Sequence, residues 1–69
     1  MSAFSERILA LREERKLSQV AIAKEIGITS RTYQRYEAGE REPTAPVLVE
    51  IAKFYHVSTD YLLGLSDSK

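Results

Sequence analysis

Apolar residues recur at helical spacing along most of this chain, and short clusters of Gly, Ser, Thr and Pro interrupt them. Phe4, Ile8 and Leu11 fall at i, i+4 and i+7, which predicts a first helix from about Ser2 to Arg15 with one buried stripe. The link Lys16-Leu17 ends in Ser18, an N-cap for a second helix that carries Val20, Ile22, Ala23 and Ile26. Gly27 stands where a helix C-terminus takes a left-handed residue. Ile28 returns to the core, and Thr29 offers a cap for a third helix with Tyr33 and Tyr36 facing inward, ending at Ala38-Gly39. Glu40-Arg41-Glu42-Pro43 reads as a loop, because Pro43 disfavours helix at the residue before it. Thr44 caps a fourth helix, with Pro46 in its first turn and an apolar face of Val47, Leu48, Ile51, Ala52 and Tyr55. His56 breaks that pattern as a residue tolerant of left-handed backbone. Ser58 then starts a short fifth helix through Leu63, closed by Gly64. The tail from Leu65 to Lys69 is polar and expected to fray.

The expected fold class is therefore all-α, with five helices, no strand and no repeat. The second and third helices are joined by a very tight turn, and Ala23 is small enough for them to cross closely. Such a helix-turn-helix holds its second helix proud of the body, where it can enter a DNA groove.

Composition narrows the alternatives. Sixty-nine residues make a single domain, 1–69, with an expected folded core of about 3–64, and 43% hydrophobic residues suffice for one helical core. A chain this short buries only about 60% of its unfolded surface, so modest stability is expected. The absence of cysteine excludes disulfides and thiolate metal sites, and one histidine among scattered carboxylates forms no recognisable metal-ligand spacing. No metal, cofactor or small-molecule ligand is expected. No apolar run approaches the roughly 18 residues of a membrane span, and MSAFSER lacks the apolar stretch of a signal peptide. A soluble, cytoplasmic chain is expected. Net charge is zero, with residues 1–41 carrying +2 and residues 42–69 carrying −2. Weak phosphate attraction follows, leaving specificity to base contacts and dimerisation.

With Tyr33 and Tyr36 turned inward, the opposite face of the third helix presents Arg31, Gln34 and Arg35, flanked by Ser30 and Thr32. Arginine can grip guanine O6 and N7 with two hydrogen bonds, and glutamine can do the same for adenine N6 and N7. Any solvated helix face collects such residues, but beside the tight turn they favour DNA. Gln19 lies in the first turn of the second helix, where its amide and free backbone N–H groups could hold a phosphate oxygen. Arg12 and Glu37 read as a structural ion pair between the first and third helices, with no direct part in binding. The four tyrosines occupy apolar periodic positions, and most are expected in the core with hydroxyls reaching the surface. No nucleophile with a nearby base and no phosphate-cradling glycine loop is present, so an enzyme is not expected.

The stretches LSQVAIAKEIGITSRTYQRYEAGEREP and VLVEIAKFYHVSTDYLL resemble the lambda-repressor-like helix-turn-helix family, the XRE or Cro/repressor type, from Phe4 to Gly64. The resemblance implies a five-helix domain that binds operator DNA, usually as a two-fold dimer. Carried over position by position, Thr29, Ser30, Arg31 and Arg35 match base-facing positions, and Gln34 does so less consistently. Gln19 matches a phosphate-contacting position, and Arg12 with Glu37 matches the family's buried ion pair. Many relatives place Lys or Arg in the loop after the third helix, where this chain has Glu40-Arg41-Glu42, so Arg41 alone remains there to meet phosphate. His56 stands where Asn is frequent. Relatives often continue into a sensing or oligomerisation domain, which is not read here.

The expected function is a sequence-specific transcriptional regulator of repressor type, with the third helix in the major groove of double-stranded DNA. Two copies are expected to meet through the fifth helix, where Tyr61, Leu62, Leu63 and Leu65 supply apolar surface. Half-sites would then lie roughly 10 base pairs apart. The competing expectation, supported by zero net charge and the acidic loop, is a module that grips a partner protein, as an antitoxin does.

Overall fold

The computed structural model describes residues 2–69 and contains five helices: α1 (Ala3–Glu14), α2 (Gln19–Ile26), α3 (Ser30–Glu37), α4 (Ala45–Tyr55) and α5 (Thr59–Leu63). Every helix begins the same way. The hydroxyl of Ser2, Ser18, Thr29, Thr44 or Ser58 accepts the backbone N–H three residues on, satisfying one of the donors a helix start leaves unpaired. Each such cap contributes about 1 kcal/mol.

The endings are equally uniform. One residue turns left-handed, and the next N–H returns to a carbonyl five residues back: Leu17 to Arg12, Ile28 to Ala23, Glu40 to Arg35, Val57 to Ala52, and Leu65 to Asp60. The left-handed residues are Lys16, Gly27, Gly39, His56 and Gly64. His56, with φ of 57°, takes the geometry expected of it. Lys16 shares that φ, although the sequence marked it only as a link. Gly64 carries a second constraint, since a Cβ there would lie 2.7 Å from the Cβ of Ala3. The end of α5 therefore presses on the start of α1.

Phe4, Ile8, Leu11, Ile22, Ala23, Tyr33, Tyr36, Ile51, Ala52, Tyr55 and Leu62 form one buried core to which every helix contributes. α1 packs on α3 and α5, α2 on α3 and α4, and α4 on α5. The rings of Phe4, Tyr36 and Tyr33 meet edge to face, with centroids 6.1 and 6.5 Å apart. α3 is thus rooted by two aromatic anchors on one face, which leaves the other free.

Three sequence expectations are corrected by the packing. Leu62 is fully buried in the core of its own chain, so it offers no surface to a second copy. The Tyr33 and Tyr55 hydroxyls do not reach the surface; both are buried without a hydrogen-bond partner, and desolvation pushes both phenol pKa values up. The tail does not fray either. Arg7 Nη1 donates to the carbonyls of Tyr61 and Ser66 at 2.6 Å each, Arg7 Nη2 meets Asp67 at 3.0 Å, and Ser58 N–H donates to the Lys69 carbonyl at 2.8 Å. Arg15, just past the end of α1, does similar work: it donates to the Phe54 and Tyr55 carbonyls at the end of α4. Cations at helix C-termini satisfy the carbonyls left over there.

Candidate nucleic-acid interface

The turn between α2 and α3 is three residues long, Gly27, Ile28 and Thr29. Gly27 reverses the chain at φ 77°, Ile28 packs against the core, and Thr29 opens α3. Because Tyr33 and Tyr36 face inward, Arg31, Gln34 and Arg35 stand exposed on the opposite side. With Ala38 and Glu40 they line one shallow, open cavity of about 350 Å³. Among the described residues neither arginine forms an ion pair. Two unpaired guanidinium groups and a carboxamide on one ridge make a donor-rich surface, with a single carboxylate at its end.

The other expected base-facing residues sit beside this ridge with less freedom. The Thr29 hydroxyl accepts the Thr32 N–H at 3.1 Å and bonds the Thr32 hydroxyl at 2.9 Å, so it already acts as the cap of α3. Ser30 is half-buried in the first turn. Arg41 is exposed in the loop between α3 and α4.

Beneath the ridge lies the ion pair. Arg12 Nε meets Glu37 Oε2 at 2.6 Å and Arg12 Nη2 meets Glu37 Oε1 at 3.0 Å, a two-pronged pairing that fixes α1 against α3. Arg12 Nη1 also donates to the Leu17 carbonyl at 2.8 Å, tying down the link into α2. Burial alone would raise the Glu37 pKa. The bonds from Arg12 and Gln19, together with the Arg12 charge, outweigh it and hold the carboxyl below its usual 4.5. The same pairing raises Arg12.

Gln19 joins this cluster, a connection that spacing did not reveal. Its side-chain nitrogen donates to Glu37 Oε1 at 3.0 Å. Glu40, at the rim of the cavity, likewise carries no site signal in the sequence, since it lies in a segment legible only as loop.

Of the residues expected at a dimer contact, Leu63 and Leu65 are exposed, at 46% and 76%. Tyr61 is half-buried, with the Arg7 guanidinium 4.2 Å from its ring centre. Leu63 also lines a shallow cleft with Phe4, Glu42, Pro43 and Leu48.

Known proteins are similar to this chain in sequence and in fold. A family model described as helix-turn-helix matches residues 8–62. The uncharacterised HTH-type transcriptional regulator YobD of Bacillus subtilis is 41% identical over 64 residues, 93% of this chain and 57% of its own. The cryptic phage CTXphi transcriptional repressor RstR of Vibrio cholerae is 38% identical over 65 residues, 94% of this chain and 59% of its own. The chain thus spans a little over half the length of these curated relatives. Among solved structures, the P22 c2 repressor in complex with a synthetic operator superposes with a TM-score of 0.84 at 35% identity, covering 87% of this chain and 91% of that one. A transcriptional regulator from Listeria innocua gives the same TM-score at 33% identity, over 88% of this chain and 57% of that one. The family-model match over residues 8–62, with relatives 38–41% identical over more than nine-tenths of the chain, places this chain in the lambda-repressor-like, XRE-type helix-turn-helix family.

Proposed function

We propose that this chain is a sequence-specific, double-stranded DNA-binding transcriptional regulator of repressor type, acting in the cytoplasm. α3 would lie in the major groove and α2 across the backbone. The observation that carries this is the α3 ridge: Arg31, Gln34 and Arg35 are exposed, form no ion pair among the described residues, and are mounted on a helix rooted by two buried tyrosines. The likeness to a repressor solved on its operator supports the same docking.

Successive residues along α3 rise about 1.5 Å, so Arg31 and Arg35 are separated by about 6 Å, close to two base-pair steps. The two arginines are assigned to guanines and Gln34 to an intervening or adjacent base pair. Arg41 and the start of α2 at Gln19 meet phosphates. Two copies bind as a two-fold dimer through Leu63, Leu65 and the edge of Tyr61, with Leu62 withdrawn from that set. Half-sites then repeat about every 10 base pairs.

Selection of duplexes from a random pool by the purified chain tests all of this together. A guanine-containing consensus repeated with two-fold symmetry is expected, with binding that weakens as salt rises. Absence of a consensus, with indifference to salt, would remove the DNA reading and favour a protein partner instead.

A further inference from the structure

Gln19 is bound to a buried carboxylate, and that bond decides how its amide can act. An ionised carboxylate only accepts hydrogen bonds, so the Gln19 amide must present its NH2 to Glu37. Glu37 is buried and already held by Arg12 on both oxygens, at 2.6 and 3.0 Å. The amide nitrogen of Gln19, 3.0 Å from Oε1, therefore rests on an acceptor that cannot itself move. One amide N–H is consumed there, and the second is left over.

Gln19 is also the first residue of α2. Ser18 takes up the N–H groups of Ala21, through its hydroxyl, and of Ile22, through its carbonyl. The backbone N–H groups of Gln19 and Val20 precede the helix ladder, so they, like the second amide N–H of Gln19, remain donors without an intrahelical partner. A free glutamine side chain loses rotamer freedom when it binds, whereas a held one has lost it beforehand.

We infer that Glu37 is a positioning residue for DNA binding: through Gln19 it pre-sets a phosphate-binding donor at the start of α2, in addition to bracing α1 against α3. This rests on the DNA-binding reading above and goes beyond it, because the carboxylate would act on a phosphate it never touches.

The single change Glu37→Gln leaves the partly buried Arg12 without its opposite charge, and it can unfold the chain. The paired change Arg12→Met with Glu37→Leu removes both charges and keeps the site apolar, a replacement that folded proteins tolerate. Both are compared with Gln19→Ala and with the triple combination, on the selected duplex carrying one uncharged methylphosphonate at each backbone position in turn. Wild type should be sensitive at one phosphate per half-site that both Gln19→Ala and the paired variant ignore, while sensitivity to Arg41→Ala lies elsewhere. The paired variant should bind roughly tenfold more weakly, and adding Gln19→Ala should cost nothing more. In the free protein the Gln19 side-chain amide resonances should move in the paired variant, independently of DNA.

A folded paired variant with wild-type affinity and phosphate map would overturn the inference. Uniform weakening at every phosphate would do the same, since that is what a purely structural brace predicts. Failure of wild type to select any duplex would instead bring down the DNA reading, and the Glu37 inference with it.

Discussion

Arg12 and Arg31 contribute the same charge to the sequence and do opposite work in the folded chain. Arg12 has its three guanidinium nitrogens bonded to Glu37 and the Leu17 carbonyl, whereas Arg31 stands exposed and unpaired among the described residues. Their truncations should separate cleanly. Arg31→Ala and Arg35→Ala should each weaken binding to the selected duplex by about 1–3 kcal/mol while shifting stability by less than about 0.5 kcal/mol. Arg12→Ala should instead cost about 3–5 kcal/mol of stability, because it strands a buried carboxylate. Binding titrations beside denaturant melts would check both. Tyr33 and Tyr55 raise a further residue-scale question. Their hydroxyls are buried without partners, and removing an unsatisfied polar atom relieves its desolvation penalty. Tyr55→Phe is therefore expected to leave stability unchanged or raise it by up to about 1 kcal/mol in the same melts.

At the level of elements, the chain is unusually legible because its start and stop signals are local. Ser18, Thr29, Thr44 and Ser58 each cap the helix that follows, and Gly27, Gly39, His56 and Gly64 each end one, as their positions in the sequence predict. The exceptions have the same local chemistry in weaker form: Lys16 is a poor candidate for left-handed backbone, and Ser2 caps α1 where the sequence pattern begins the helix itself. Local signals do not say what a reversal touches, however. Gly27 and Gly64 have nearly the same φ, 77° and 80°, yet a Cβ at Gly27 meets nothing within 4 Å and one at Gly64 would strike Ala3. Gly27→Ala should cost about 1–2 kcal/mol for backbone alone. Gly64→Ala should cost about 1–3 kcal/mol more through the forced shift of α1 against α5. Equal losses in urea melts would show that the α1–α5 approach is loose.

Across the whole molecule, α1, α2 and α3 converge on one carboxylate, and their integrity should respond to acid. Glu37 has a folded pKa below its usual 4.5. A depressed carboxylate lends stability that is fully present above the unfolded value and lost as pH falls through the folded one. Stability should therefore decline below about pH 4.5, and the part due to Glu37 should vanish in the paired Arg12→Met, Glu37→Leu variant. Melts from pH 7 to pH 2 on both proteins would show it as a converging pair of curves. The same scale explains the modest charge available for DNA. Arg7, Arg12 and Arg15 are engaged on carbonyls and carboxylates inside the molecule, so the excess of cations in residues 1–41 overstates what faces a phosphate.

The sequence by itself determined the helices, their caps, the three-residue turn and the donor-bearing face of α3, because those depend on neighbours three or four residues away. Only tertiary structure decided which tyrosine hydroxyls lost water, that Leu62 faces inward, that the tail is pinned by Arg7, and that Gln19 leans on Glu37. Each of these joins residues from different helices across a shared core, where distance along the chain carries no information about distance in space.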